Sequence, residues 1–205
     1  NMSLPSLGWM WTRPRTIMFP CSNIHTHDKS LCNAIINIYP HEQLIEGAIH
    51  SVGIHPWHTI DIDNSTIEKL SSLAFNSQVI AIGETGLDAL KGAPIEKQID
   101  IFKLHISLSE QTKKPLIIHC VKSFNELIAL KKQIRPSMPW IIHGFRGKPQ
   151  LARQLLDNGF YISLGEKFNT ETATIIPTNR LLFETDESTL NINTIIENIN
   201  RYRDP

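Results

Sequence analysis

The sequence predicts an α/β fold, a TIM-like (β/α) barrel that is distorted and abbreviated in its first third. Three observations carry this expectation. Short apolar runs alternate with helix-period segments along most of the 205 residues, the pattern of a parallel sheet covered by helices. Five of those runs end abruptly in histidine or a carboxylate, and barrels place their functional groups at the carboxyl ends of strands. Between His27 and Ala34 the chain is too short for a crossover helix, because parallel strands need roughly a dozen connecting residues.

Taken in order, Thr16 to Ile24 leads as a strand into His25-Thr26-His27-Asp28. Residues two apart on a strand point the same way, so His25 and His27 can face one ion. Ala34 to Tyr39 and Ala48 to Ile54 read as the next strands, the second running into Gly53-Ile54-His55-Pro56-Trp57-His58. Asp61 to Asn76 turns helical, with Ile67, Leu70, Ser71 and Ala74 on one face. Val79 to Gly83 is a buried strand that stops at Glu84. An unpaired carboxylate is costly to bury, so cationic company is expected there.

Pro94 to Thr112 is a helix with proline near its first turn and Lys113-Lys114 at its carboxyl end. Pro115 to Ile118 is a strand that stops at His119-Cys120, and Ser123 to Ile134 is a helix. Trp140 to Ile142 is a strand ending at His143-Gly144-Phe145-Arg146-Gly147. Pro149 to Asn158 is a helix with Gly159 as its left-handed stop. Phe160 to Leu164 and Leu181 to Asp186 are the last strands, and Asn193 to Tyr202 is the terminal helix. Residues 18–205 are read as one barrel domain and residues 1–17 as an N-terminal extension.

Formal net charge is zero, with 20 basic and 20 acidic residues. A chain that held nucleic acid by charge alone would be more basic, so a phosphate substrate would rely on metal and a few local cations. Three cysteines, Cys21, Cys32 and Cys120, make no even disulfide framework and contain no Cys-x-x-Cys pair, which argues for a reducing compartment. Nothing approaches the roughly 20 apolar residues of a membrane helix, and the expected location is the cytoplasm.

The strand ends bring His25, His27, Glu84, His119, His143 and Asp186 to one mouth. A mixed nitrogen and oxygen donor set suits zinc, manganese, iron or magnesium. Six ligands exceed the needs of one tetrahedral ion, so two divalent ions about 3.5–4 Å apart are expected. A carboxylate can bridge two cations and an imidazole cannot, which leaves Glu84 or Asp186 as the bridge.

Together these motifs resemble the TatD-related deoxyribonucleases, within the metal-dependent amidohydrolase-like barrels. The resemblance rests on His25-Thr26-His27, Gly53-Ile54-His55-Pro56, Gly83-Glu84-Thr85-Gly86-Leu87-Asp88, Ile118-His119-Cys120, Ile142-His143-Gly144-Phe145-Arg146-Gly147 and Glu184-Thr185-Asp186, in that order. It implies that His25, His27, Glu84 and Asp186 hold one ion, and Glu84, His119 and His143 the second. It further implies metal-dependent phosphodiester cleavage of DNA with a water as nucleophile and Asp186 orienting or deprotonating it. Asp186 and Glu84 are thereby the catalytic candidates. His55 matches a position near the substrate phosphate. Lys122 and Arg146 follow strand-end histidines and could grip that phosphate.

The chain departs from the family pattern at Asn23, where aspartate is usual, and at Asp28-Lys29, where Leu-Asp is usual. Gly144 stands where cysteine is common, and Ser188 where proline is. None of these is a ligand. Trp57 and Phe145 lie beside the mouth, where rim packing is the expected role and base stacking the alternative. Asp88 is either a carboxylate that orients a ligand or a plain turn residue. Cys120 reads as a small buried filler, and His41, His50, His58 and His105 carry no assigned function. Two other readings compete: a hydrolase of a small amide, ester or lactone, and a degenerate barrel kept as a binding module. In the first of these a carbamylated lysine typically bridges the metals, and here glutamate occupies the matching strand end.

Overall fold

The computed structural model describes residues 17–203. Ile17 apart, the assignment of an N-terminal extension to residues 1–17 lies outside the described residues. Eight parallel strands close into a barrel in sequence order: β1 (Asn23–Thr26), β2 (Ala34–Ile38), β3 (Ile49–Val52), β4 (Val79–Asp88), β5 (Leu116–Val121), β6 (Trp140–Ile142), β7 (Tyr161–Leu164) and β8 (Leu181–Phe183). Asn23 pairs with Phe183 to complete the circle. Around it lie α1 (Asn64–Ala74), α2 (Ile95–Thr112), α3 (Phe124–Ile134), α4 (Pro149–Asp157), α5 (Thr170–Ile175) and α6 (Ile192–Arg203). The fold expectation holds, abbreviation included: β1, β2 and β3 follow one another with no helix between them.

Helix starts follow capping chemistry. Asp63 accepts from the backbone N–H of Thr66 at 2.8 Å to open α1 at Asn64, three residues later than the apolar pattern suggests. Asn169 does the same for Thr172 at 2.9 Å and opens α5, a helix that the sequence pattern does not predict. Side-chain oxygens at these positions satisfy amides that have no intrahelical partner. Pro149 occupies the first turn of α4, and Gly159, at φ +75°, turns the chain just past its end, as expected of a left-handed stop.

Two apolar clusters result from the alternation of side chains along strands. The larger packs the outward residues Leu116, Ile118, Trp140, Ile142 and Ile162 against Phe102 and Ile106 of α2 and Leu127 of α3. The smaller joins Ile24, Ile35, Ile80, Ile117, Ile141 and Tyr161. Ile117 lies two residues below His119, and Ile141 two below His143. The same alternation that buries an apolar plug, at about 1.5–3 kcal/mol per side chain, therefore aims the histidines above it.

The main difference from expectation is β4. It does not stop at Gly83 but runs through Asp88, with all ten residues buried. Its register with β5 slips between Ile82 and Thr85 and resumes with Thr85 opposite Ile118 and Gly86 opposite His119. Gly83 and Gly86 have φ of +135° and +143°, conformations that favour glycine. A Cβ at Gly83 would run into the Ile117 carbonyl oxygen, and one at Gly86 into that of His119. Two glycines thus let β4 press against β5 while carrying Glu84 inward.

His105 of α2 acquires a structural role. Its Nε2 accepts from the Ile54 backbone N–H at 2.9 Å, and its Nδ1 donates to the Ile101 carbonyl at 2.8 Å. Protonation would destroy the first bond, and complete burial lowers the imidazole from 6.5 to about 4. The unfolded chain then binds the proton first, so this stabilisation is complete above pH 6.5 and is lost as pH falls towards 4. The difference corresponds to about 3 kcal/mol. Denaturant unfolding between pH 7 and 4 should show wild type losing stability relative to His105→Gln, whose amide can accept the same bond without titrating. Parallel curves for the two proteins would contradict this role.

Candidate metal centre

All six expected ligands converge on the carboxyl ends of the strands. Glu84 is at the centre. Its Oε2 lies 3.4 Å from Nε2 of both His25 and His27. Its Oε1 lies 2.7 Å from His143 Nε2, 3.1 Å from His119 Nδ1 and 3.0 Å from His55 Nε2. Asp186 Oδ1 stands 3.7 and 3.6 Å from the same His25 and His27 nitrogens. One carboxylate therefore presents each of its oxygens to a different set of imidazoles, and Asp186 lies nearest to the first.

Backbone pairing explains this convergence. The Asp186 N–H donates to the His25 carbonyl at 3.0 Å, and the His27 N–H to the Asp186 carbonyl at 3.3 Å. Asp186 has φ +53°, so the chain turns there, past the end of β8, and ties its carboxylate to the His-x-His strand end. Asn23 fastens the same seam. Its amide donates to Thr185 Oγ1 at 2.8 Å and its carbonyl oxygen accepts the Thr185 N–H at 3.0 Å. Asparagine, unlike aspartate, supplies both functions without a proton. The Glu84 N–H is held by Asn37 Oδ1 at 2.7 Å. The signal for Asn37 was present in the sequence, as one polar residue inside the isoleucine-rich β2.

Three further residues position ligands. Glu184, fully buried, accepts from His143 Nδ1 at 3.1 Å. Asp88 Oδ2 accepts from His119 Nε2 at 3.2 Å, so it is an orienting carboxylate and not merely a turn residue. Gln98 of α2 accepts the Asp88 N–H at 2.7 Å and donates to the Asp88 carbonyl at 2.9 Å. These contacts fix which nitrogen each histidine turns inward: Nδ1 for His119 and Nε2 for His143. Such outer partners set ligand orientation and basicity. Glu184→Ala should weaken divalent-metal binding roughly 10- to 100-fold, as read by isothermal titration with manganese. Unchanged affinity would show that His143 needs no such support.

The electrostatics suit a cation. Burial alone would raise Glu84, but His143, His119 and His25 overcome it and hold the carboxyl well below its ordinary value. Burial opposes charge on His143 as well, yet Glu84 and Glu184 prevail and raise it well above the ordinary imidazole. His27 is raised by its hydrogen bond to Glu84. In His25, which is 0 % exposed, neither ring nitrogen finds a hydrogen-bond partner. An orphaned buried imidazole beside two carboxylates is the donor arrangement that a divalent ion satisfies. Sets of ligand atoms within 4.8 Å of one another occur at His25, His27 and Glu84; at His25, His143 and Asp186; and at His55, Glu84 and His119.

His55 behaves differently from the others. Its Nδ1 accepts from the Trp57 backbone N–H at 3.1 Å, and burial lowers its pKa, so the ring stays neutral. Its one proton is then on Nε2, the nitrogen that faces Glu84. Lys122 and Arg146, with His55, line the same cavity of about 800 Å³ as His27, Glu84, His119, His143 and Asp186. Cys120 lines it too, but burial pushes its thiol up to about 12, which leaves it protonated and a poor ligand.

Fold and site together define an eight-stranded α/β barrel with a histidine–carboxylate cluster of metal-ligand type at its carboxyl mouth. Residues 23–194 match the family described as TatD related DNase, and the chain belongs to that family. An uncharacterized metal-dependent hydrolase of Buchnera aphidicola subsp. Baizongia pistaciae is 40% identical over 145 residues, 66% of this chain and 54% of the relative. The 3'-5' ssDNA/RNA exonuclease TatD of Cronobacter sakazakii is 30% identical over 152 residues, 69% of this chain and 57% of the relative. The chain thus spans little more than half the length of these relatives. The crystal structure of YjjV, a TatD homologue from Escherichia coli K12, superposes with a TM-score of 0.69 at 21% identity, covering 78% of this chain and 71% of that one, and shares the fold. Among the described residues no helix is long and apolar enough to cross a membrane.

Proposed function

We propose that this chain is a divalent-metal-dependent phosphodiesterase acting on DNA. The observation that carries the reading is the division of Glu84: Oε2 towards His25 and His27, Oε1 towards His119 and His143. His25, His27, Asp186 and Glu84 would hold one ion, and His119, His143 and Glu84 the other. When bound, magnesium, manganese or zinc ions supply Lewis-acid polarisation of the phosphoryl group and lower the pKa of water.

The protein's own groups do the rest. Asp186 is partly exposed at the cavity wall, placed to orient a water and take its proton as general base. His55, neutral and protonated on Nε2, donates a hydrogen bond to a phosphoryl oxygen. Arg146 and Lys122 balance the charge that the diester brings in, the first through a two-pronged guanidinium contact. The buried floor of isoleucines lowers the local dielectric beneath the cluster and strengthens each of these interactions. The name of the Cronobacter relative, a single-stranded DNA/RNA exonuclease, supports the same substrate class.

The test is incubation of the purified protein with end-labelled DNA, with and without chelator, and with magnesium or manganese restored. Cleavage that chelator abolishes and metal restores is the expected result. Silence on DNA with turnover of small esters or amides would replace this reading with that of a small-molecule hydrolase.

A further inference from the structure

The end of the barrel opposite the mouth, where strands begin and helices end, carries cations without anionic partners. Lys113 and Arg135 cap the carboxyl ends of α2 and α3, and Lys132 stands in the last turn of α3. All three are exposed. Lys131, next to them, lies 5.1 Å from the ring centroids of both Trp140 and Phe160. Burial, with Arg180 nearby, lowers its ammonium from 10.5 to about 8. Among the described residues none of these cations pairs with a carboxylate. Glu110 is within electrostatic reach of Lys113 and Lys131, but its oxygens are taken by the Ser137 hydroxyl and, at 2.8 Å, the Met138 N–H.

Helix carboxyl ends favour cations on their own account, so the charge alone names no ligand. The same face also exposes large apolar side chains. Phe75, which caps α1, is 62% exposed, and Ile134, the last residue of α3, is 36% exposed. Lys114 Nζ donates to the Ala74 and Asn76 carbonyls at 2.5 and 3.0 Å and so ties the end of α1 to that of α2. Met18, 72% exposed, stands between Ile17 and Phe19, both of which pack into the apolar plug at this end. Residues 1–16, which join the fold at Ile17, include Trp9, Trp11, Arg13 and Arg15 and no acidic residue.

We propose that this basal face docks peripherally on an anionic lipid membrane, with the mouth of the barrel turned to the solvent. A phosphate backbone would also meet the cations but would gain nothing from Phe75, Ile134 and Met18. A bilayer interface takes both kinds of group, the apolar side chains at the acyl boundary and the cations among the headgroups. Tryptophan, as in the segment before Ile17, is enriched at the same depth. No helix among the described residues is long and apolar enough to cross a membrane, so the contact is with one surface. Lys132, Arg135 and Phe75 do not line the central cavity, and docking through them leaves it open whatever its substrate.

The experiment is cosedimentation of the full chain with vesicles of phosphatidylcholine mixed with phosphatidylglycerol, and with vesicles of phosphatidylcholine alone. Wild type should sediment with the anionic vesicles, come off as salt is raised, and stay in solution with the neutral ones. The double variant Lys132→Gln, Arg135→Gln should bind the anionic vesicles roughly 10- to 30-fold more weakly, and Phe75→Ser roughly three- to tenfold more weakly. Initial rates of DNA cleavage should match in all three proteins. Wild type that ignores anionic vesicles, or binds neutral ones as well, would overturn the proposal, and so would a double variant that binds as tightly as wild type. Displacement from the vesicles by duplex DNA, with Phe75→Ser binding lipid like wild type, would give the face to nucleic acid instead. A parallel fall in cleavage would put these residues in the substrate path and also overturn docking.

Discussion

Glu84→Gln should abolish chelator-sensitive DNA cleavage, with a loss on the order of a thousandfold or more. The substitution keeps size and shape but removes the one anionic group shared by both sets of imidazoles. Several kcal/mol of charge stabilisation depend on the ions staying in place, and each 1.36 kcal/mol is about tenfold in rate. Lys122→Ala should cost much less, roughly 10- to 100-fold, the worth of one hydrogen bond to a charged group. Initial rates on end-labelled DNA decide the matter. Comparable losses from both variants would mean that metal holding and phosphate gripping have been divided wrongly.

Gly86→Ala is expected to be the most damaging single methyl in the barrel wall. At φ +143° the new Cβ would collide with the His119 carbonyl oxygen, and the atoms it meets are backbone, which cannot rotate away. Strain plus displacement of β4 from β5 should cost about 4 kcal/mol, a fall in Tm of ~10 °C for a chain of this size. Gly47 is an internal control. It too has positive φ, +76°, but a Cβ there meets nothing within 4 Å. Gly47→Ala should therefore cost only about 1 kcal/mol, and the gap between the two variants isolates the collision. Equal Tm values would remove the close approach of β4 and β5 from the account of how Glu84 is placed.

Both effects arise in the stretch that the sequence made most conspicuous, yet only half of it was readable there. The carboxylate after the apolar run Val79–Ile82 and Gly83 pointed to a buried charge with partners, and among those partners are His119 within β5 and His143 just past β6. The continuation of β4 through Thr85, Gly86, Leu87 and Asp88 was not readable. That segment has neither apolar alternation nor strong strand propensity, and it is extended because two glycines admit the neighbouring backbone.

The same division runs through the site. Residues that line the cavity, such as His27 and Asp186, stand out because a polar group at a strand end needs a reason. Residues that hold them stand far away in the chain: Asn37 is 47 positions from Glu84, and Glu184 is 41 from His143. Periodicity carries no information over such separations. Glu184 nevertheless ends an apolar run just as Glu84 does, and the same desolvation argument applied to it would have found it. Gln98 gave no such sign, being a polar residue on a helix until the fold turned it towards Asp88. His55 shows a third situation, in which the residue lines the cavity but its chemistry depends on a local hydrogen bond from Trp57 that places its proton.

If Glu84 joins two ions, an ion count distinguishes that arrangement from a single-ion site. Equilibrium dialysis of the purified protein against manganese, followed by elemental analysis, should find about two ions per chain. Glu84→Ala should hold almost none, and His119→Ala about one. A single ion in wild type, or an unchanged count in Glu84→Ala, would contradict the bridge.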